Sequence, residues 1–360
     1  MSTLPPLTIG PYENLRGAKL VGRDLRGSDL SGADLTGADL SDADLSEANL
    51  TCANLTDVTA RRTRFIAADL LRANVTRADL TEADFTSARL EGAVLHYAQA
   101  EGATIAEANV NRVDGRAANF RGAKLTASDM SESVFCGADL SNAWCDGSNL
   151  TKADLARARC VATHLVGTNL SEANLVEADF TEAVLESADL SKVTAPGVVL
   201  RRANIMGARF RLGDLSRAVL SGAKAHAVVL ERASLLEAQL DGIDAQRGNF
   251  EFADLRRANM SRACFRQASM IGSRLGEALA SHSDFTEADF FWAELDAFLR
   301  DNCVTSGARF PERIEIAYGP QGVTPPQVTL SPLYRPACED RSVLLRKLLT
   351  PHPSEPPSPG

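Results

Sequence analysis

The stretch that decides the fold is SDLSGADLTGADLSDADLSEANLTCANL, residues 28–55. Leucine recurs at every fifth position from Leu30 to Leu55, and alanine lies two residues before the leucines from Ala33 to Ala53. An acid or amide precedes every leucine, beginning with Asp29. A period of five matches neither the 3.6-residue helical repeat nor the two-residue alternation of a plain strand. The stretch therefore predicts a structural unit of five residues that is repeated along the chain.

The five-residue frame runs unbroken from Leu15 to Leu295, with Phe, Ile and Met among the residues at the leucine position. The residue two positions earlier is small almost throughout. In an extended chain residues i and i−2 point to the same face, so both positions face inward. The two residues that follow each leucine must turn a corner, and Ser-Gly or Thr-Gly pairs are common there. Repeated short sides with inward Leu and Ala predict a solenoid whose coils are hydrogen-bonded about 4.8 Å apart.

Exceptions to the pattern conserve the interior volume. Where the leucine position holds a smaller residue, the alanine position often holds a larger one, as in Val58 with Ala60 and Val193 with Ala195. A close-packed core tolerates such paired exchanges better than single changes of volume. The exchanges favour a continuous interior shared by all the coils.

The pattern resembles the pentapeptide-repeat family, whose motif is A(D/N)LXX, and the resemblance covers residues 13–297. It implies an all-β fold, the right-handed quadrilateral β-helix with four pentapeptides in each coil. A repeat segment of this length then predicts about 14 coils. One elongated array replaces the two domains that a chain of 360 residues would otherwise suggest.

The ends of the chain depart from the repeat. Residues 1–12 are predicted to be a lead-in, and the stretch FFWAELDAFLRDN, residues 290–302, presents apolar side chains at helical spacing. We predict a short helical C-terminal cap over 298–318, because an open solenoid end exposes core and unpaired backbone. Pairing of two copies through this end is the alternative. Residues 319–360 form a Pro-rich tail, within which 339–349 is predicted to be a short amphipathic helix.

No catalytic, cofactor-binding or metal-binding site is predicted. The glycines lie at corners and form no phosphate-binding loop, the five histidines are scattered, and the seven cysteines include no CxxC pair. A convex surface without a cleft offers little control of pKa values or of water. We therefore expect the protein not to be an enzyme. No secretory signal or apolar run of membrane-spanning length is visible, so the expected location is the cytoplasm.

The net charge of −9 raises the question of nucleic-acid mimicry. The resemblance implies it, because family members that protect DNA gyrase and topoisomerase IV from inhibitors imitate the width and acidity of B-form DNA. In a four-sided coil, however, residues 20 apart are stacked, which places Arg62 between Asp42 and Glu82. Such neighbours neutralise one another, and each face is left only weakly acidic. The arginines of the second half lack interleaved aromatic residues, so direct nucleic-acid binding is not expected.

Apolar residues near the C-terminal end are the candidate partner-binding site: Phe252, Ile271, Phe291 and Trp292 at outward positions, and Phe298 in the helically spaced stretch. The first four share one face in the four-sided register, and they would meet either a partner or the chain's own tail. The predicted function is a protein-binding scaffold that acts through its surface. The resemblance leaves two alternatives, a DNA mimic that protects a type II topoisomerase from an inhibitor and an accessory or effector protein of a secretion system.

Overall fold

The computed structural model describes residues Gly10–Pro311. Over this range the chain forms no helix and no strand longer than one paired residue. Instead, the outward residue of each five-residue unit forms a parallel bridge to the residue 20 positions later, from Asn14–Asp34 to Asp289–Arg309. Four pentapeptides therefore complete one coil, which confirms the all-β quadrilateral architecture. Residues 10–311 also include no helix with the length and hydropathy needed to cross a lipid bilayer.

The corners are β-turns with a left-handed third residue. In the turn from Leu35 to Ala38, the N–H of Ala38 donates to the carbonyl of Leu35 at 2.9 Å, and Gly37 has a φ of 65°. This is the signature of a type II turn, which favours glycine at that position. Many corners hold other residues, such as Arg62 with a φ of 53°, and an L-residue in this conformation costs about 1–2 kcal/mol. The N–H of Arg62 donates to the carbonyl of Thr81 in the next coil at 3.0 Å, which helps to hold the strained residue.

Backbone hydrogen bonds join each coil to both of its neighbours. The N–H of Leu50 donates to the carbonyl of Asp69 in the following coil at 2.7 Å, and the N–H of Asp69 donates back to the carbonyl of Ala48 at 2.9 Å. The same pair of bonds recurs on the other sides and coils. Because these backbone groups are paired along the solenoid axis, the sides can remain short without exposing unsatisfied polar groups.

The interior is a continuous column of Leu, Ala and Phe side chains. The exchanged pairs predicted from the sequence are buried, with exposures of 1% at Val58, 0% at Ala60 and 1% at both Val193 and Ala195. At Gly115 glycine is required for a different reason, since a Cβ atom added there would lie 2.8 Å from Cδ1 of Phe135. The large ring of Phe135 thus fits because the stacked position in the preceding coil, Gly115, has no side chain.

Hydroxyl groups replace alanine at several interior positions and bond between coils. The Ser133 hydroxyl donates to the carbonyl of Val110 at 2.7 Å and accepts from the N–H of Val113 at 3.0 Å, so it bridges the turn of the preceding coil. Ser283 makes the same pair of bonds, to Met260 and Ala263. The Ser133 and Ser283 hydroxyls therefore have partners, so these polar atoms are buried without the cost of leaving them unsatisfied.

The predicted helical cap is not confirmed. Residues 298–311 continue the turns and bridges of the repeat, with the pairs Leu279–Leu299, Asp284–Val304 and Asp289–Arg309. The reason lies in the frame, because Phe298, Cys303 and Ala308 are still spaced by five residues and lie at the alanine position. The helical spacing noted around Trp292 was therefore misleading. Residues 1–9, the remainder of the cap at 312–318, and the tail with its predicted helix at 339–349 lie outside the described residues.

Candidate functional site

Four of the five candidate residues lie along one corner of the solenoid. Phe252 donates its N–H to the carbonyl of Ile271 in the next coil at 2.9 Å, and Gly272 donates to the carbonyl of Phe291 at 2.8 Å. These bonds place the four residues at the same corner of successive coils. We call Phe252, Ile271, Phe291 and Trp292 the C-terminal aromatic face.

The Phe252 ring fills the place of a missing side chain. A Cβ atom on Gly272, one coil further on, would lie 2.6 Å from Cε1 of Phe252, so the ring lies flat over the glycine. The guanidinium of Arg232 from the preceding coil lies 5.8 Å from the ring centroid. Phe252 is consequently half-buried, and it supports this face more than it projects from it.

Phe291 and Trp292 form the most prominent part of this face. Their rings are stacked, with centroids 4.6 Å apart and planes 25° apart. The guanidinium of Arg309 lies 5.5 Å from the Phe291 centroid, within the range of a cation–π contact. Trp292 is 36% exposed, whereas Phe291 is half-buried. A surface tryptophan held in place by a neighbouring ring is typical of an interface anchor.

Phe298 does not belong to this face. Its ring points into the last coils, with centroids 6.2 Å from Phe285 and 6.4 Å from Phe290. Phe310 stacks on Phe290 at 4.9 Å, and Arg300 lies over Phe310 at 4.2 Å. The continued five-residue frame makes position 298 an inward one, as described above. Phe298 therefore extends the hydrophobic core and is not available on the same surface as Trp292.

Ion pairs between coils hold much of the surface acid. Arg62 makes two hydrogen bonds to Asp42, at 2.8 and 2.9 Å, and these bonds lower the pKa of the Asp42 carboxyl below its usual value. Arg202 and Glu182, also 20 residues apart, form a similar ion pair at 2.7 Å. Arg159 is stacked between Asp139 and Asp179, but it makes no ion pair within 4.0 Å in the described part of the chain.

The acidic row before the leucines has a role that sequence reasoning missed. One side-chain oxygen of Asp34 accepts the N–H of Thr36 at 3.1 Å and also the Thr36 hydroxyl at 2.5 Å. These two bonds lower the Asp34 pKa, and Asp39 does the same with Ser41. Asp or Asn at this position therefore stabilises the corner that follows. The sequence signal was available, because Ser or Thr often follows the leucine.

The described residues offer little reactive chemistry. Residues 10–311 contain no group of three His, Cys, Asp or Glu side chains placed to hold a metal ion. Burial raises the pKa of the Cys145 thiol to about 12 and that of Cys160 well above its usual value, so both resemble apolar side chains. An open groove of about 620 Å³ contains no histidine or cysteine, and is lined by Arg201, Arg202, Val219, Ser221, Gly222, Gln239 and Asp241.

Comparison with known proteins agrees with this architecture. The family described as Pentapeptide repeats matches overlapping segments that together cover residues 14–270. No curated protein matches the chain.

Solved structures of pentapeptide-repeat proteins are among the similar chains. HetL from the cyanobacterium Nostoc sp. strain PCC 7120, described as involved in heterocyst differentiation regulation, is 27% identical over 65% of this chain and 87% of its own, with a TM-score of 0.21. QnrB1, a plasmid-mediated fluoroquinolone resistance protein, is 20% identical over 53% of this chain and 90% of its own, with a TM-score of 0.37. The family assignment rests on the repeat match. With its five-residue frame, its four-sided coils and that match over more than half of its length, the chain belongs to the pentapeptide-repeat family.

Proposed function

We propose that this protein is a non-enzymatic scaffold that binds a protein partner through the C-terminal aromatic face. The observation that carries the proposal is the stacked pair of Phe291 and Trp292, with the tryptophan at the surface. Tryptophan is enriched among the residues that dominate binding energy at protein interfaces. Phe252 and Ile271, half-buried beside the pair, provide an apolar surround that excludes water from such a contact. The expected location is the cytoplasm.

A binding role suits the regularity of the solenoid better than catalysis does. In the open groove Ser221 donates its hydroxyl to Asp241 at 2.6 Å, but no histidine lines the groove, and burial raises the pKa of the two fully buried thiols above its ordinary value. Solenoids built from repeats commonly use their extended outer surfaces for binding.

The test is site-specific photo-crosslinking from position 292 in the cell of origin, with a crosslinker at exposed Tyr97 as the matched control. A partner trapped only from position 292 is then purified, and its binding to the wild type and to Trp292→Ala is measured. We expect Trp292→Ala to weaken binding by about tenfold, equivalent to 1.4 kcal/mol. Equal binding by the two proteins would contradict the proposal, as would identical crosslinking from both positions.

Self-association is tested on the same variants. Pairing of two copies through this end predicts a concentration-dependent dimer in analytical ultracentrifugation, and Trp292→Ala would shift it toward monomer. A monomer at all concentrations rejects the dimer and leaves a different protein as the partner.

Protection of a type II topoisomerase is the second candidate, favoured by the net charge of −9. An acidic surface can enter a basic DNA-binding groove by complementary potential. Against it, the pairs Arg62–Asp42 and Arg202–Glu182, and others like them, neutralise acids between coils. Gyrase supercoiling is measured with and without a fluoroquinolone. Neither inhibition nor protection by the purified protein at micromolar concentration would exclude this candidate. A gene neighbourhood rich in secretion genes would favour the secretion-accessory alternative instead.

A further inference from the structure

A second aromatic surface lies in the middle of the solenoid, on a different side from the C-terminal aromatic face. Trp144 and His164 occupy the same outward position in consecutive coils, and their rings are stacked with centroids 3.9 Å apart and planes 10° apart. Trp144 is 45% exposed, more than Trp292. Val184 follows His164 in the same column, and Val166 at the adjoining corner is 38% exposed. No role in the fold requires an indole ring at this outward position.

Acidic side chains lie at the corner that follows these rings and on the next side of the coil. Asp146 accepts the N–H of Val166 at 2.7 Å, and the N–H of Gly167 donates to the carbonyl of Glu186 at 2.9 Å, which places Asp146, Val166 and Glu186 at one corner of successive coils. The Trp144 face is defined here as Trp144, His164, Val166 and Val184 with the carboxylates Glu107, Asp129, Asp146, Glu186 and Asp189.

Four of these carboxylates have no lysine or arginine stacked one coil away, whereas Asp189 is bridged to Arg209 in the next coil. Within Gly10–Pro311 none of the five makes an ion pair within 4.0 Å, whereas Arg62, Arg77 and Arg202 pair with acids one coil away on other parts of the surface. Lys124 is the only lysine or arginine in the column of Trp144 and at the corner of Asp146 between residues 104 and 189, whereas Arg121 lies at the opposite corner of this side and pairs with Asp139 at 3.7 Å. The corner that carries Asp146 and Glu186 therefore has a local negative charge that no ion pair of the described residues neutralises.

The two aromatic surfaces also differ in what covers their rings. At the C-terminal aromatic face, the chain's own Arg232 and Arg309 lie over Phe252 and Phe291. Among the described residues no guanidinium lies over Trp144, although tryptophan is the ring that attracts cations most strongly. A cavity of about 220 Å³ beside the ring is lined by Trp144, Thr126 and Lys124.

From this combination we propose that the Trp144 face is a docking surface for an extended, arginine-rich segment of a protein partner. One guanidinium of that segment stacks on Trp144, and the following basic side chains pair with Asp146 and Glu186 along the corner. Charge complementarity selects this occupant, because the acids are unpaired and the ring lacks a cation. Lys124 opposes binding by like-charge repulsion. Removal of its charge should therefore raise the affinity for a basic segment and lower the affinity for an acidic one. The surface is distinct from the one in the proposed function.

The test uses the full chain and a fluorescein-labelled peptide of alternating arginine and serine, with binding followed by fluorescence anisotropy at low and high salt. We expect Trp144→Ala and Glu186→Gln each to weaken binding by about tenfold, the equivalent of 1.4 kcal/mol, and added salt to weaken it further. Asp146→Asn provides a second charge variant that retains the acceptor for the Val166 N–H. Lys124→Ala is expected to strengthen binding.

Glu177→Gln is the matched control. Glu177 is exposed, makes no ion pair in the described range, and lies at the corner two sides away from Glu186 in the four-sided coil. It should leave the affinity unchanged. An equal loss of peptide affinity in Glu177→Gln and Glu186→Gln would show that only the net charge of the protein matters, and it would overturn the proposal.

Other ligand classes give different results. Binding of a glutamate-serine peptide or of a single-stranded oligonucleotide, weakened by Lys124→Ala, would show that the cavity recognises an anion and would refute a basic partner. Trp292→Ala separates this proposal from the proposed function, because arginine-peptide binding is expected to survive it. Equal binding of the crosslinked partner by the wild type and Trp292→Ala, together with retained peptide binding, would reject only the proposal for the C-terminal aromatic face.

Discussion

At Gly115 the interior leaves room for a hydrogen atom and little more. The ring of Phe135 lies one coil above, and Cδ1 and Cε1 would be 2.8 and 2.9 Å from a Cβ atom. Val113 on the same side supplies the volume that the leucine position has lost, and it is fully buried. The side-chain size that a position of this solenoid allows thus depends on the stacked residue in the next coil as well as on the motif.

Gly115→Ala is therefore expected to destabilise the protein by about 1–3 kcal/mol through overpacking against Phe135. Chemical denaturation of the wild type, Gly115→Ala, Phe135→Leu and the double variant gives a mutant cycle. The cost of the added methyl should fall in the Phe135→Leu background, because the obstructing ring has been removed. An identical cost in both backgrounds would show that the ring is not the cause.

The buried thiol of Cys145 predicts a loss of stability in alkali. Its pKa is raised from 9.0 to about 12 in the folded protein because burial disfavours the thiolate. The stability that this thiol contributes is fully present below pH 9 and is lost as the pH rises toward 12, since the unfolded chain releases the proton first. Urea denaturation across this range should show a shallower decline for Cys145→Ala. Parallel curves for the two proteins would contradict the assignment.

At the scale of the structural element, the unit is a side plus its corner. The leucine anchors the side, the preceding Asp or Asn bonds the corner, and the residue with positive φ donates to the next coil. Each unit contacts the coils before and after it. A substitution at one inward position therefore affects the stability of the adjacent coils along the axis more than the residues around the surface.

Leu150→Lys tests that dependence. Leu150 is 2% exposed, and its N–H donates to the carbonyl of Asn169 in the next coil at 2.7 Å. An unpaired ammonium at this position is expected to cost about 3–5 kcal/mol. Ala117→Lys, at an exposed corner, adds the same charge and should change stability by no more than about 0.5 kcal/mol. Thermal denaturation of Leu150→Lys and Ala117→Lys distinguishes the two effects. Similar melting temperatures for the two variants would argue against a continuous core.

At the scale of the whole solenoid, stability should vary along the axis. Coils in the middle are bonded on both sides, whereas the coil that begins near Leu15 has described neighbours on one side only. Repeat arrays behave as chains of nearest-neighbour contacts, and their ends open more readily. Hydrogen exchange followed by mass spectrometry should show slower exchange around Leu150 than around Leu15. Uniform exchange along residues 10–311 would instead indicate a single cooperative unit.

The sequence by itself determined the repeat, the inward Leu and Ala positions and the paired exchanges at Val58 with Ala60, because side-chain direction in an extended chain depends only on local spacing. It also indicated the corner that carries Phe252, Ile271, Phe291 and Trp292, once four sides were assumed. Tertiary structure decided the rest. It assigned Phe298 to the core, since the frame continues past Leu295, and it showed the acidic row bonding the corners. It paired Trp144 with His164 and left nearby acids without bases, because contacts between residues 20 apart follow from coil closure and not from local sequence.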